Sequence, residues 1–145
     1  MYCIDASVLT NSQIENERFY IDSKNFINKI MENKIKVVVP EIIIPEVASA
    51  IARGTGNANY AIKFVLEFRK IPNINIVPVE SNLSNLAADI AARHKLRGAD
   101  SIYVATSIAF NARLITLDKH QKEKASKILY ALTPAEELIA LQGNN

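Results

Sequence analysis

The sequence predicts an α/β fold in three layers, α/β/α, with a mostly parallel central sheet covered by helices on both faces. Short apolar, β-branched runs alternate with longer segments of three- and four-residue apolar spacing from one end of the chain to the other. No composition shift, charge run or internal repeat marks a linker. Hydrophobic residues make up 49% and charged residues 22%, with four Gly and five Pro, so the chain can bury a core and is neither disordered nor collagen-like. A length of 145 residues suits one domain, expected over 1–145.

Tyr2 to Leu9 reads as a buried strand with Asp5 and Ser7 as polar interruptions. Arg18 to Glu32 carries Phe19, Phe26, Ile27, Ile30 and Met31 at helical spacing and ends at Asn33-Lys34. Ile35 to Val39 is a second strand, closed by Pro40. Glu41 to Arg53 is helical, with Pro45 near the first turn where its missing N–H goes unused, and Gly54-Thr55-Gly56 ends it. Asn59 to Lys70 places Tyr60, Phe64 and Phe68 on one stripe, suited to core or to a homodimer surface. Ile74 to Val79 is a third strand, and helices follow over Leu83 to Leu96 and Asp100 to Asn111, separated by Arg97-Gly98. Leu114 to Leu117 and Ile128 to Leu132 complete the strands. In Thr133-Pro134-Ala135-Glu136, Thr caps a last helix, with Pro at its first position and Glu at its third.

Several function classes are excluded by what these residues lack. One cysteine, Cys3, cannot form an internal disulfide, and with His94 and His120 it makes no zinc set, which points to a reducing compartment. The apolar stretch from Val37 to Ala52 is broken by Pro40, Glu41, Pro45 and Glu46, and Tyr2-Cys3-Ile4-Asp5 is no signal peptide, so a cytoplasmic protein that does not enter a membrane is expected. Glycine-rich phosphate loops are missing, as is a plausible Cys/His or Ser/His nucleophile pair.

The chemistry lies in four acids. Taken alone, each has a structural explanation: Asp5 and Asp118 as turn or cap residues at strand ends, Glu46 and Asp100 as first-turn acids favoured by the helix dipole. Together they fit the rule that α/β folds bind ligands beyond the carboxyl ends of their strands, at a topological switch point. Four crowded carboxylates raise one another's pKa unless cations neutralise them, and hard oxygen-binding magnesium or manganese suits the set. Such a site serves phosphoryl chemistry.

Ile4-Asp5-Ala6-Ser7-Val8-Leu9, Pro40 through Pro45-Glu46-Val47, Ala99-Asp100-Ser101-Ile102-Tyr103-Val104-Ala105-Thr106 and Leu114-Ile115-Thr116-Leu117-Asp118 occur in an order that resembles the PIN domain, the ribonuclease fold of VapC-type toxins. The resemblance implies a metal-dependent endoribonuclease with Asp5, Glu46, Asp100 and Asp118 as its catalytic and metal-binding quartet. It further implies that Ser7 and Thr116 support the metal site, that metal-activated water cuts the phosphodiester, and that the products carry a 5′-phosphate and a 3′-hydroxyl. Where many members carry Gly, this chain has Asn111-Ala112-Arg113, and Asn tolerates a left-handed backbone.

Arg53, Arg93, Lys95, Arg97, Lys119 and His120 lie close in sequence to these motifs and are candidates for RNA phosphate contacts. A toxin implies a neighbouring antitoxin that covers the acidic groove, with an Arg placed in it. A free-standing RNA-processing nuclease and a non-cleaving RNA- or protein-binding module are the competing readings. The formal charge of +2 conceals an asymmetry: 15 acidic residues less these four leave 11 against 17 Lys and Arg, an acidic pit in a basic surface.

Overall fold

A computed structural model describes residues 1–143. Its strands are β1 (Tyr2–Ile4), β2 (Val37–Pro40), β3 (Ile74–Val77), β4 (Arg113–Ile115) and β5 (Ala131–Leu132), joined in the order β3-β2-β1-β4-β5 with every pairing parallel. The helices are α1 (Ala6–Asn11), α2 (Tyr20–Glu32), α3 (Ile43–Thr55), α4 (Ala58–Phe68), α5 (Ser81–His94), α6 (Gly98–Ala109), α7 (Lys119–Ala125) and α8 (Pro134–Gln142). The chain winds outward from β1 to β2 and β3, then returns to the other side of β1 with β4. The switch point therefore falls between β1 and β4.

The central strand shows how the layers form. Successive side chains of a strand point to opposite faces. Tyr2 meets Phe26 of α2 edge-on, with ring centroids 5.3 Å apart, and Ile4 lies among Ile27, Ile30 and Phe64 of α2 and α4. Between them Cys3 points the other way, its Sγ–H donating to the Tyr103 carbonyl of α6 at 3.6 Å. Helices α2, α4 and α8 thus cover one face, and α6, backed by α5, the other. Cys3 is core: it is fully buried, and burial pushes its thiol up to about 12.

Three local expectations change. The first strand stops at Ile4, because Asp5 caps a helix through Ser7 N at 3.1 Å and buries Val8 and Leu9 from helical backbone. The polar segment Lys119–Ala125 is helical, with Asp118 as its N-cap. The last strand is confined to Ala131–Leu132, since the amides of Ile128 and Leu129 turn back to Ala125 O at 2.9 and 3.0 Å and close the preceding helix. The stripe on α4 runs inward, with Phe68 buried, Phe64 half-buried and stacked on it at 6.4 Å, and Tyr60 at the rim donating to Gln13 Oε1 at 2.9 Å. Asn111 takes φ 49°, the left-handed backbone expected of it, and Gly56 ends α3 at φ 67°. Among the described residues no helix is long and apolar enough to cross a membrane.

Helix α8 is anchored by its capping box, Thr133 with Glu136, and by the fully buried Glu137. That carboxylate accepts from Tyr2 Oη of β1 at 2.6 Å and from Arg113 Nη1 of β4 at 2.9 Å. Tyr2→Phe keeps the ring against Phe26 and removes only the donor to a buried charge. It should lower the unfolding free energy by about 1.5–3 kcal/mol in chemical denaturation; an unchanged midpoint would show that the Tyr2–Glu137 hydrogen bond carries no stability.

Candidate active site

Asp5 sits where β1 ends, 7% exposed, and its Oδ2 collects three donors: Ser7 N at 3.1 Å, Ser7 Oγ at 2.5 Å and Thr116 Oγ1 at 3.3 Å. Ser7 Oγ also accepts from Leu117 N at 3.1 Å, and Thr116 Oγ1 accepts from Asp118 N at 3.0 Å. These two hydroxyls tie the end of β1 to the end of β4 across the switch point. Asp118 caps α7, its Oδ1 accepting from Gln121 N at 2.8 Å, which leaves Oδ2 for Arg97.

The opposite wall comes from two helix starts. Glu46 lies in the first turn of α3 and accepts from Tyr103 Oη at 2.5 Å. Asp100 lies in the first turn of α6, one helical turn before Tyr103 on the same face, and is 9% exposed. The Arg97 guanidinium bridges the acids, with Nε donating to Asp100 Oδ2 at 2.7 Å and Nη2 to Asp118 Oδ2. Asp5, Glu46 and Asp100 line one cavity of about 630 Å³, together with Arg97, Ser49 and Arg53.

The electrostatics follow from that crowding. Burial pushes the Asp5 carboxyl up and the Asp100 charge adds to it, while bonds from Ser7 and Thr116 pull it back. Burial likewise raises Glu46, the Tyr103 hydrogen bond opposes it, and Asp5 and Asp100 raise it further. Burial and the Asp5 and Glu46 carboxylates hold the Tyr103 phenol far above its ordinary value, so it stays a donor. For Asp118 burial acts upward, but the Gln121 amide and Arg97 outweigh it and hold the group low.

Among the described residues no three His, Cys, Asp or Glu side chains are gathered into a ready cage for a metal ion. The reason is local: Asp100 and Asp118 are turned on Arg97, Glu46 on Tyr103, and Asp5 on two hydroxyls. The donor set still suits a hard divalent cation, because it is all oxygen and Asp5 and Glu46 carry repulsion that Arg97 does not relieve.

Asp5, Glu46 and Asp100 thus line the strand-end cavity, Asp118 is joined to them through Arg97, and the Ser7 and Thr116 hydroxyls donate to Asp5. Of the six basic candidates, Arg53 and Arg97 line the cavity; Arg93 pairs with Asp89 at 2.8 Å, and Lys95, Lys119 and His120 are exposed outside its lining. Sequence reasoning missed Tyr103, although its three-residue offset from Asp100 puts both on one helical face. It also passed over Thr10, Asn11 and Ser49, which line the same cavity one turn beyond Ser7 and Glu46.

The family model of the PIN domain matches residues 2–127, and the chain belongs to that family. No individual curated protein matches it significantly. In fold it is similar to VapC20 of Mycobacterium tuberculosis, a sarcin–ricin-loop-cleaving toxin, with TM-score 0.72, 13% identity, and coverage of 89% of this chain and 96% of that one. FitAcB from Neisseria gonorrhoeae gives TM-score 0.67 at 18% identity, covering 93% and 99%. A toxin–antitoxin complex from Klebsiella pneumoniae gives 0.66 at 17%, covering 92% and 98%. At these identities the likeness is one of fold.

Because the raised Glu46 carboxyl binds its proton more tightly folded than unfolded, metal-free stability falls as pH rises from the ordinary carboxylate range through the raised value. Glu46→Gln keeps an acceptor for Tyr103 and deletes the charge. Its melting temperature without divalent metal should exceed the wild type's by a few degrees at neutral pH, with the gap closing as pH falls; a gap that persists in acid would assign the gain to something other than charge.

Proposed function

We propose that the chain is a magnesium- or manganese-dependent endoribonuclease and the toxin of a type II toxin–antitoxin pair. The observation that carries this reading is the convergence of Asp5, Glu46 and Asp100 on one cavity at the switch point, with Asp118 joined to them through Arg97, in a chain of the PIN family. RNA as substrate is supported by the fold likeness to VapC20, named for cleaving the sarcin–ricin loop. An antitoxin partner is supported by the likeness to the Klebsiella complex. The reading carries with it residues 1–145 acting as one unit, a homodimer and a cytoplasmic site of action.

Asp5, Glu46, Asp100 and Asp118 are the residues that would hold the cation, which when bound supplies activated water and stabilises charge on the phosphodiester. Ser7 and Thr116 fix the Asp5 carboxylate by donating to one of its oxygens. Tyr103 fixes Glu46 by donating to it from a buried position. Arg97 neutralises Asp100 and Asp118, and its largely exposed side chain is placed to exchange those carboxylates for an incoming phosphate.

The test is cleavage of structured and single-stranded RNA with magnesium or manganese. Wild type should cut; Asp5→Asn and Asp100→Asn should fall to background. Full cleavage in both variants, or none by wild type with either metal, would sink the assignment. Ser7→Ala retains every acid but loses the strand-end knot, and it should reduce the rate by about 10–100-fold, as loss of a residue orienting a ligand does elsewhere.

A further inference from the structure

Among the described residues Arg97 is the one basic side chain within ion-pair distance of any of the four acids. It meets two of them at once, Asp100 through Nε at 2.7 Å and Asp118 through Nη2. These acids belong to different elements, the first turn of α6 and the cap of α7. Asp118 has no oxygen to spare: Oδ1 accepts from Gln121 N at 2.8 Å and Oδ2 from Arg97. A cation that ligates Asp118 must therefore take Oδ2 from Arg97 or break the cap of α7.

Exposure separates the fixed partners from the movable one. The Asp100 and Asp118 side chains are 13% and 30% exposed, whereas that of Arg97 is 63% exposed. Arg97 is the N-cap residue of α6, yet its side chain makes no capping bond, so the helix start does not depend on where the guanidinium lies. Largely exposed ion pairs add little to stability, and releasing this one leaves the fold intact. The structural ion pair of the chain is built otherwise, with Glu137 fully buried and shared between Arg113 and the Tyr2 hydroxyl.

We infer that Arg97 is a built-in competitor of the divalent metal, which loads onto Asp100 and Asp118 as a phosphate group draws the guanidinium away. The assignment rests on the nuclease reading and concerns the regulation of its site. Two cations that share one carboxylate oxygen stand within about 5 Å of each other, because a magnesium–oxygen bond is about 2.1 Å and a charge-assisted hydrogen bond about 2.8 Å. At that separation in a partly buried site they repel strongly, so guanidinium and metal exclude one another. A phosphate offers the guanidinium the same paired anionic oxygens that the two carboxylates offer it. Phosphate and metal therefore bind cooperatively, and the coupling is reciprocal.

The experiment measures Mn2+ binding without RNA, from the electron paramagnetic resonance signal of the free ion. Arg97→Gln should bind Mn2+ about tenfold more tightly than wild type, the combined worth of two partly exposed ion pairs. Arg53→Gln is the control: Arg53 lines the same cavity but donates to Ser49 Oγ and pairs with no carboxylate among the described residues, so its loss should leave Mn2+ affinity nearly unchanged. Sodium sulfate, the tetrahedral dianion used as phosphate probe, replaces chloride at constant ionic strength, with protein-free samples correcting for its own binding of Mn2+. It should tighten Mn2+ binding to wild type by about threefold and have no such effect on Arg97→Gln.

Equal or weaker Mn2+ binding by Arg97→Gln overturns the competition, since a merely structural arginine does not oppose the metal. An equal gain in Arg53→Gln also overturns it, because the effect then belongs to the general field of the cavity. A sulfate effect of the same size in wild type and Arg97→Gln overturns the coupling through Arg97. The two readings fail separately. Metal-dependent RNA cleavage with no change of Mn2+ affinity in Arg97→Gln removes the competition alone, and tighter Mn2+ binding by that variant with no RNA cleavage by wild type removes the nuclease assignment alone.

Discussion

Carboxylates gathered at the carboxyl edge of a parallel sheet repel one another, and nearly every polar contact of this cleft answers that repulsion. Asp5 is buried, and Asp100 acts on both Asp5 and Glu46. The compensating groups come from three separate elements or their ends: hydroxyls from Ser7 after β1 and Thr116 after β4, and from α6 both the Tyr103 phenol and the guanidinium of its cap residue Arg97. No segment could supply this alone. The arrangement exists because β4 pairs directly with β1, which brings residues 110 positions apart in sequence within reach of one Ser7 hydroxyl.

The fold was legible where periodicity was strong. Strands β2, β3 and β4 and helices α2 to α6 lie close to their expected positions because each buries one clear stripe or run. The capping box at Thr133 was readable residue by residue, since it depends on chemistry at adjacent positions. The errors were short or polar. Ala6 to Leu9 is an apolar run that fits strand and helix alike, and the arbiter was the Asp5 side chain bonding Ser7 N. Helix α7 buries only Gln121 and Ala125, so it has no apolar stripe to read.

The site was legible as a set of acids and illegible as a network. Motif order and the fold rule pointed to Asp5, Glu46, Asp100 and Asp118 at one end of the sheet, and three of them line one cavity there, with Asp118 joined through Arg97. It could not say what each acid bonds to. Arg97 was a candidate phosphate contact by its closeness in sequence to the Asp100 motif, yet it spans Asp100 and Asp118, a pairing across 21 positions that only the tertiary fold creates. Tyr103 stood in the Asp100 motif without a role of its own, since its hydroxyl has meaning only once α3 is known to pass beside α6. Thr10, Asn11 and Ser49 carried no motif at all; that they line the cavity is a property of the fold and not of the sequence.

The structural and chemical explanations of Asp5 and Asp118, set side by side at the level of sequence, are not rivals. Each residue is the N-cap of the helix that follows it. A carboxylate has two oxygens, and capping engages one face of the group while fixing its rotamer. Asp118 spends Oδ1 on Gln121 N and keeps Oδ2 for Arg97; Asp5 gathers its three donors on Oδ2 and leaves Oδ1 out of that set. A capped carboxylate loses little further freedom when it meets a cation or a guanidinium, because its side chain is already immobilised. The turn that ends a strand and starts a helix therefore does two things with one residue. It satisfies the helix's first amides, and it holds a negative oxygen at the switch point.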